Sequence, residues 1–304
     1  MDIILKISQE LMCRQEQVAA AVKLIDEGCT IPFIARYRKE ATGSLNDEQL
    51  RTLDERLTYL RGLEDRKEKV LASIEEQGML TDELKKSILA AETLVAVEDL
   101  YRPYKPKRKT RATIAQSKGL TGLANIISLQ MTNKPIPEEA LAYVSEEKEV
   151  HSAEEAIAGA MDIIAESISD NAEYRTEIRN LTMDKGILMT TAKDPEAESV
   201  YEMYYDFSTP VRKMAGYRTL AINRGEKEKF LSVKIEAPVD EITGYLIRQV
   251  IVRDNPNTND ILRNTITDSY ERLIAPSIER DIRGSLTEAA EDGAIKVFGS
   301  NLKQ

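Results

Sequence analysis

NDEQLRTLDERLTYLRGLEDRKEKVLASIEEQG, residues 46–78, reads as one long helix from its cap to its stop. Asn46 followed three residues later by Gln49 is a capping box, in which each side chain satisfies a backbone N–H that the first helical turn leaves open. Leu50, Leu53, Leu57 and Leu60 then recur at three- and four-residue steps, the period of one helical face, and Leu71 and Ile74 resume the stripe. Gly78 supplies the stop. Glu64 and Lys67 fall on the same stripe, where a pure coiled coil does not usually hold two charges. The expectation is a long helix to about Gln77 in a helical hairpin that packs over only part of its length.

Composition agrees with a mainly α chain. Of 304 residues, 14 are Gly and 10 Pro, so few positions force a turn, and aromatics are 5% with no Trp. A β-sandwich or barrel needs more aromatic strands and more turns than this. Apolar residues at 42% are enough for sizeable cores, and charged residues reach 31%. The two cysteines, Cys13 and Cys29, make no C-x-x-C, which excludes a disulfide framework and a Cys-rich zinc site. No apolar run approaches the roughly 18 residues of a membrane-spanning helix. The N-terminus carries Asp2 and Glu10 and does not read as a signal peptide. The expectation is a cytoplasmic, soluble protein without a membrane partner.

Phosphate-cradling glycine loops and nucleophile elbows are missing from the sequence. His151 is the single histidine, in the charged stretch EKEVHSAEE, where an exposed residue ahead of a helix is expected. No catalytic residue, metal site or cofactor is therefore assigned, and the chain is read as not an enzyme.

Working outward, residues 14–28 put Val18, Val22 and Ile25 on one face and end at Gly28, and IPFIARYRKEATG follows from Ile31. Two helices joined by a tight turn are compatible with a helix-turn-helix and equally with any helical hairpin. Thr81 and Thr93 read as caps of short helices. Residues 133–139 read as a loop. Ile157, Met161, Ile164 and Ile168 form a core-facing stripe, and Asp170 with Glu173 reads as the next cap. The Tyr spacing of EAESVYEMYYDF favours a helix. Alternation in FLSVKIEAP marks a half-buried strand, and GILMTT is its one obvious partner, giving at most one small β-hairpin, about 186–191 with 229–236. Pro276 marks a kink or break, and a final helix starts at Thr287. The fold class is a mainly α multi-helix array. Its expected divisions are a helical region 1–100 with the helix-turn-helix-like part, a basic proline-containing segment 101–137, and a second helical region 138–304.

The net charge of −10 hides a local reversal. Residues 100–137 contain eight cations and no acid, leaving −18 on the rest of the chain. Arg102, Lys105, Lys107, Arg108, Lys109 and Arg111 cluster around Pro103 and Pro106 beside Tyr101 and Tyr104. Guanidinium and ammonium groups neutralise phosphates and release counterions, which dominates non-specific nucleic-acid binding. The prolines reduce the entropy lost on docking. Tyr104 is a candidate to stack on unpaired bases, or else Tyr101 and Tyr104 anchor the loop in a core. Six cations meeting at most six phosphates give a log–log salt slope no steeper than about −5 on duplex DNA. The same loop fits docking on an acidic protein surface. Arg36, Arg38 and Lys39 around Tyr37 are a second, smaller basic group, not arranged as a dedicated phosphate clamp.

IPFIARYRKEATGSL (31–45), VEDLYRPYKPKRKTRATIA (97–115), YYDFSTPV (204–211) and LAINRGEKE (220–228) resemble the bacterial Tex family of transcription accessory proteins. The stretch 277–304 resembles the helical lead into that family's ribonuclease-H-like YqgF domain. Gly216 and Tyr217 depart from the family pattern, where a Ser-His-type pair is expected. The resemblance implies a helical N-terminal region of a cytoplasmic nucleic-acid-binding protein linked to transcription. It also implies that the chain is a fragment, without the YqgF-like, helix-hairpin-helix and OB-fold domains. Its implied partners are RNA or DNA through auxiliary backbone contacts, the transcription machinery, and the YqgF-like and OB-fold domains of a full-length protein.

Overall fold

The computed structural model describes residues 2–301; the end of the 277–304 stretch, residues 302–304, lies outside them. The chain forms two compact units, Met1–Tyr104 and Lys105–Gln304.

The first unit is helical: α1 (Ile3–Glu10), α2 (Gln15–Asp26), α3 (Ile31–Tyr37), α4 (Asp47–Glu76), α5 (Asp82–Ala90) and α6 (Leu94–Tyr101). α4 is its spine. Asn46 and Gln49 close the expected capping box, with Gln49 N–H donating to Asn46 Oδ1 at 2.8 Å and Asn46 N–H to Gln49 Oε1 at 3.1 Å. Leu50, Leu53, Leu57 and Leu60 are buried, and the stripe runs on without a gap through Leu63, Lys67, Val70 and Ile74. The partly packed hairpin is thus corrected: helices α1, α2, α3, α5 and α6 all pack on α4. The charged position is part of the core because its charge is answered. The Lys67 side chain is 1% exposed, and its Nζ donates to Glu64 Oε1 and to the Leu89 carbonyl, both at 2.9 Å. A four-carbon stem buries like an apolar residue when its head finds acceptors. Thr81 and Thr93 cap α5 and α6 as read. Between α2 and α3, Gly28 takes φ +86°, a left-handed turn that a side chain resists.

The second unit contains α7 (Arg111–Ser117), α8 (Thr121–Leu129), α9 (Ile136–Ala140), α10 (Ala153–Asp170), α11 (Ala172–Lys185), β1 (Ile187–Ala192), β2 (Asp206–Pro210), α12 (Gly216–Lys227), β3 (Leu231–Glu236), α13 (Val239–Val250), α14 (Asn259–Asp268) and α15 (Ala275–Asn301). The mainly α class holds, and the sheet is larger than one hairpin. Its order is β2-β1-β3, all antiparallel, with β1 central. The expected pairing of β1 with β3 is present, Leu188 facing Ile235 and Thr190 facing Val233. Residues 206–210 are a strand, not helix, and only Glu202–Tyr204 makes a 3-10 turn. The buried Thr190 hydroxyl donates to the Tyr204 carbonyl at 2.5 Å, tying that turn to β1. On β3, Leu231, Val233 and Ile235 are buried and Ser232, Lys234 and Glu236 exposed, the alternation read from the sequence.

Other readings shift. Residues 136–140 are helical, because Pro137 sits in the first turn, where its missing N–H costs nothing. α10 turns Ala156 and Ala160 fully inward and leaves Ile157 and Met161 half-buried. Asn171, not Asp170, caps α11. Pro276 breaks nothing. The preceding residues Ser269–Ile274 widen into a π turn, with Ala275 N–H donating to the Tyr270 carbonyl. That widening relieves the clash between the Pro276 ring and the carbonyl four residues earlier. α15 accordingly runs on past Thr287 to Asn301. At Gly216 a Cβ would stand 3.2 Å from the Ala290 Cα, so glycine permits the close approach of α12 and α15.

Candidate nucleic-acid interface

The unit boundary falls inside the basic segment. Arg102 and Tyr104 belong to the first unit and the remaining five candidates to the second.

Thr93 starts α6, and Pro103 prevents it from continuing. Tyr101 is a core residue, with its hydroxyl 3.0 Å from Ser73 Oγ and the Arg66 guanidinium 5.4 Å from its ring centre. Tyr104 is half-buried against the same core, and its carbonyl accepts from Gln77 Nε2 at 3.0 Å. The contacts of both tyrosines fit the anchoring role, Tyr101 being buried and Tyr104 half-buried. Arg102 is half-buried and engaged within its surroundings.

In the second unit, residues 105–109 are irregular and exposed. Thr110 and Thr113 fix their end: Thr113 N–H donates to Thr110 Oγ1 at 3.0 Å and Thr110 N–H to Thr113 Oγ1 at 2.8 Å, starting α7. The cations then divide. Lys107 Nζ donates to Asp170 Oδ2 and lies 3.1 Å from Glu166 Oε2, both on α10, and its side chain is 24% exposed. Two carboxylates one helical turn apart hold one ammonium, so Lys107 staples the segment to α10. Lys105 is exposed but engaged. Arg108 and Lys109 are exposed and make no hydrogen bond or ion pair among the described residues.

Arg111 is exposed at the first position of α7, where a cation opposes the helix dipole. Nearby carboxylates answer its charge. Burial pushes the Asp162 carboxyl up, against the pull of Arg272 and Arg111. Asp268 is held below the ordinary carboxylate range chiefly by its hydrogen bond with Arg272, with Arg111 adding to it. Arg111 also lines an open groove of about 580 Å³ together with Ile114, Leu120 and Val150. His151, on the same groove, is exposed, and its N–H donates to Glu155 Oε2 at 2.8 Å ahead of α10, as expected of a residue before a cap.

Within the first unit, the second basic group has different neighbours. α3 turns Ile34 into the core and packs Ile31 and Ala35 against it. Its other face carries Phe33 (38% exposed) and Tyr37 (61% exposed), ring centres 5.4 Å apart. The Arg38 guanidinium lies 5.4 Å from the Phe33 ring centre, a cation–π arrangement. Arg36 and Lys39 are exposed beside them. Sequence reasoning singled out the cations and missed Phe33. The available signal was the four-residue step from Phe33 to Tyr37, which puts both rings on one face.

The sequence profile of the Tex-like protein N-terminal domain matches residues 1–75, and that of the Tex central region matches residues 131–298, more than half of the chain. The chain belongs to the Tex family. It is 47% identical over 302 residues to the Bacillus subtilis protein YdcI, covering 98% of this chain and 42% of the relative. With the Neisseria gonorrhoeae transcriptional accessory protein Tex it shares 40% over 313 residues, covering 100% and 41%. With the human S1 RNA-binding domain-containing protein 1 it shares 30% over 304 residues, covering 94% and 30%. The chain thus spans about two fifths of the length of these two bacterial relatives. The α3 patch lies inside the N-terminal match, and the basic segment lies between the two matched regions. Among the described residues no helix is long and apolar enough to cross a membrane. Nor does any group of three or more His, Cys, Asp or Glu among them have the arrangement to hold a metal ion.

Proposed function

We propose that this chain is a non-catalytic, cytoplasmic part of a Tex-like transcription accessory protein, contributing contacts to the backbone of RNA or DNA that do not read sequence. Arg108, Lys109 and Arg111 make those contacts, and Lys107 holds the segment in place. Arg102, Tyr104 and Lys105 complete the segment as supporting residues. The observation that carries the reading is the exposure of Arg108 and Lys109 without an acidic partner among the described residues, in a segment stapled at Lys107 and capped at Thr110. Two fixed points lower the entropy lost when the free cations engage phosphate. The names of two relatives, a transcriptional accessory protein and an S1 RNA-binding domain-containing protein, support the same assignment. α2, its turn and α3 are the helix-turn-helix-like part, although seven residues make α3 a short helix to enter a groove.

A second reading, a helical scaffold docking an acidic partner or the protein's own C-terminal domains, draws on Lys107, which already sits on two carboxylates. The two readings separate on Arg108→Glu with Lys109→Glu, assayed against RNA and DNA oligonucleotides. The nucleic-acid reading expects roughly tenfold or greater loss of affinity at low salt. Unchanged affinity for both polymers hands the segment to the scaffold reading.

A further inference from the structure

We propose that the exposed face of α3 is a stacking site for unpaired bases of single-stranded nucleic acid. Phe33 and Tyr37 form its platform, and Arg36, Arg38 and Lys39 meet the flanking phosphates. This inference rests on the nucleic-acid reading above and adds a separate element in the first unit, with a different chemistry.

Three observations converge on it. Phe33, Arg36 and Tyr37 occupy one helical face by their three- and four-residue steps, and the Phe33 and Tyr37 rings are exposed although α3 has a core to pack against. An exposed aromatic pair at 5.4 Å offers flat π surface, to which Arg38 adds a planar guanidinium. From Gly28 to Lys39 the sequence has three cations, Arg36, Arg38 and Lys39, and no acid.

 

None of the three makes an ion pair among the described residues. The patch is also held in shape. The buried Thr42 hydroxyl lies 3.3 Å from the carbonyls of both Arg38 and Lys39, and Ser44 N–H donates to the Lys39 carbonyl at 2.7 Å. Gln17 Nε2 in turn donates to the Gly43 carbonyl at 2.8 Å. A fixed aromatic and cationic surface suits bases that are already unstacked, since every base presents a π face and the backbone beside it presents phosphates. Bases within a duplex do not offer those faces.

The test compares a short oligothymidine with an abasic deoxyribose-phosphate strand of the same length, using the 304-residue chain. Stacking predicts that the wild type prefers the strand with bases by roughly tenfold. Phe33→Ala with Tyr37→Ala removes the preference, and Tyr37→Phe keeps it because the ring remains. Both rings are on the surface, so the variants keep the wild-type circular dichroism. The chain has no Trp, so Tyr37→Trp provides a lone indole whose fluorescence oligothymidine quenches and the abasic strand does not. Equal affinity of the wild type for the two strands, or an unquenched indole at saturation, overturns the proposal. Failure of the basic-segment reading looks different: Arg108→Glu with Lys109→Glu then leaves binding to both strands unaltered while the preference for bases persists.

Discussion

The two basic groups, residues 105–111 and residues 36–39, carry the same sign of charge and keep different company. In the first, Lys107 is committed to Glu166 and Asp170, Arg111 is felt by Asp162 and Asp268, and Arg108 and Lys109 remain open. In the second, the neighbours are two exposed rings, and no carboxylate pairs with the cations among the described residues. The difference teaches that a count of positive residues does not describe a binding surface. What each cation already touches decides whether it stabilises the fold or is available to a ligand.

The largest effect that sharpens this comparison belongs to the most committed cation of the first unit. Lys67→Ala removes a buried stem and leaves Glu64 and the Leu89 carbonyl without their ammonium. It is expected to cost about 3 kcal/mol, read as a lowered urea midpoint. Lys107→Ala is expected to cost less, about 2 kcal/mol, because its side chain retains some contact with solvent. Alanine at Arg36, Lys39, Arg108 or Lys109 is expected to stay within about 0.5 kcal/mol of wild type. A Lys107→Ala variant as stable as those four would erase the distinction between committed and open cations.

The smallest expected effect is electrostatic. Asp268 is held below its ordinary value of 3.8. Its contribution to stability is therefore complete above the unfolded value and disappears as pH falls through the lower folded value. Arg111→Ala is expected to move the titrations of Asp268 and Asp162 upward, since Arg111 pulls both down. Carbon-detected NMR of the carboxyl groups reads this directly, and unmoved titrations would place Arg111 outside the field of both acids.

Much of the helical frame was legible. The capping box at Asn46, the leucines that follow and the alternation of Leu231, Val233 and Ile235 are local signals, and local physics decides them. What was not legible depends on partners distant in sequence. Lys67 reads as an interruption until the Leu89 carbonyl supplies an acceptor 22 residues away. β2 carries Asp206, Ser208 and Pro210, a weak strand pattern, and becomes a strand because β1 offers it an open edge. Pro276 reads as a break because the widened turn ahead of it leaves no sequence signature. In the candidate interface, the sequence located the cations but not the acids on α10 that claim Lys107, which lie about sixty residues further on. It named Tyr104 as a stacking candidate and passed over Phe33 and Tyr37, whose rings are exposed where Tyr104 is half-buried.

The central claim is that the open cations of the basic segment meet phosphate. The most direct measurement is the log–log salt dependence of affinity for one duplex oligonucleotide, taken for the wild type and for Arg108→Ala with Lys109→Ala. Each lost phosphate contact removes about 0.9 from the slope, so the account predicts a slope shallower by about 1.8. Superimposable slopes for the two proteins would contradict it.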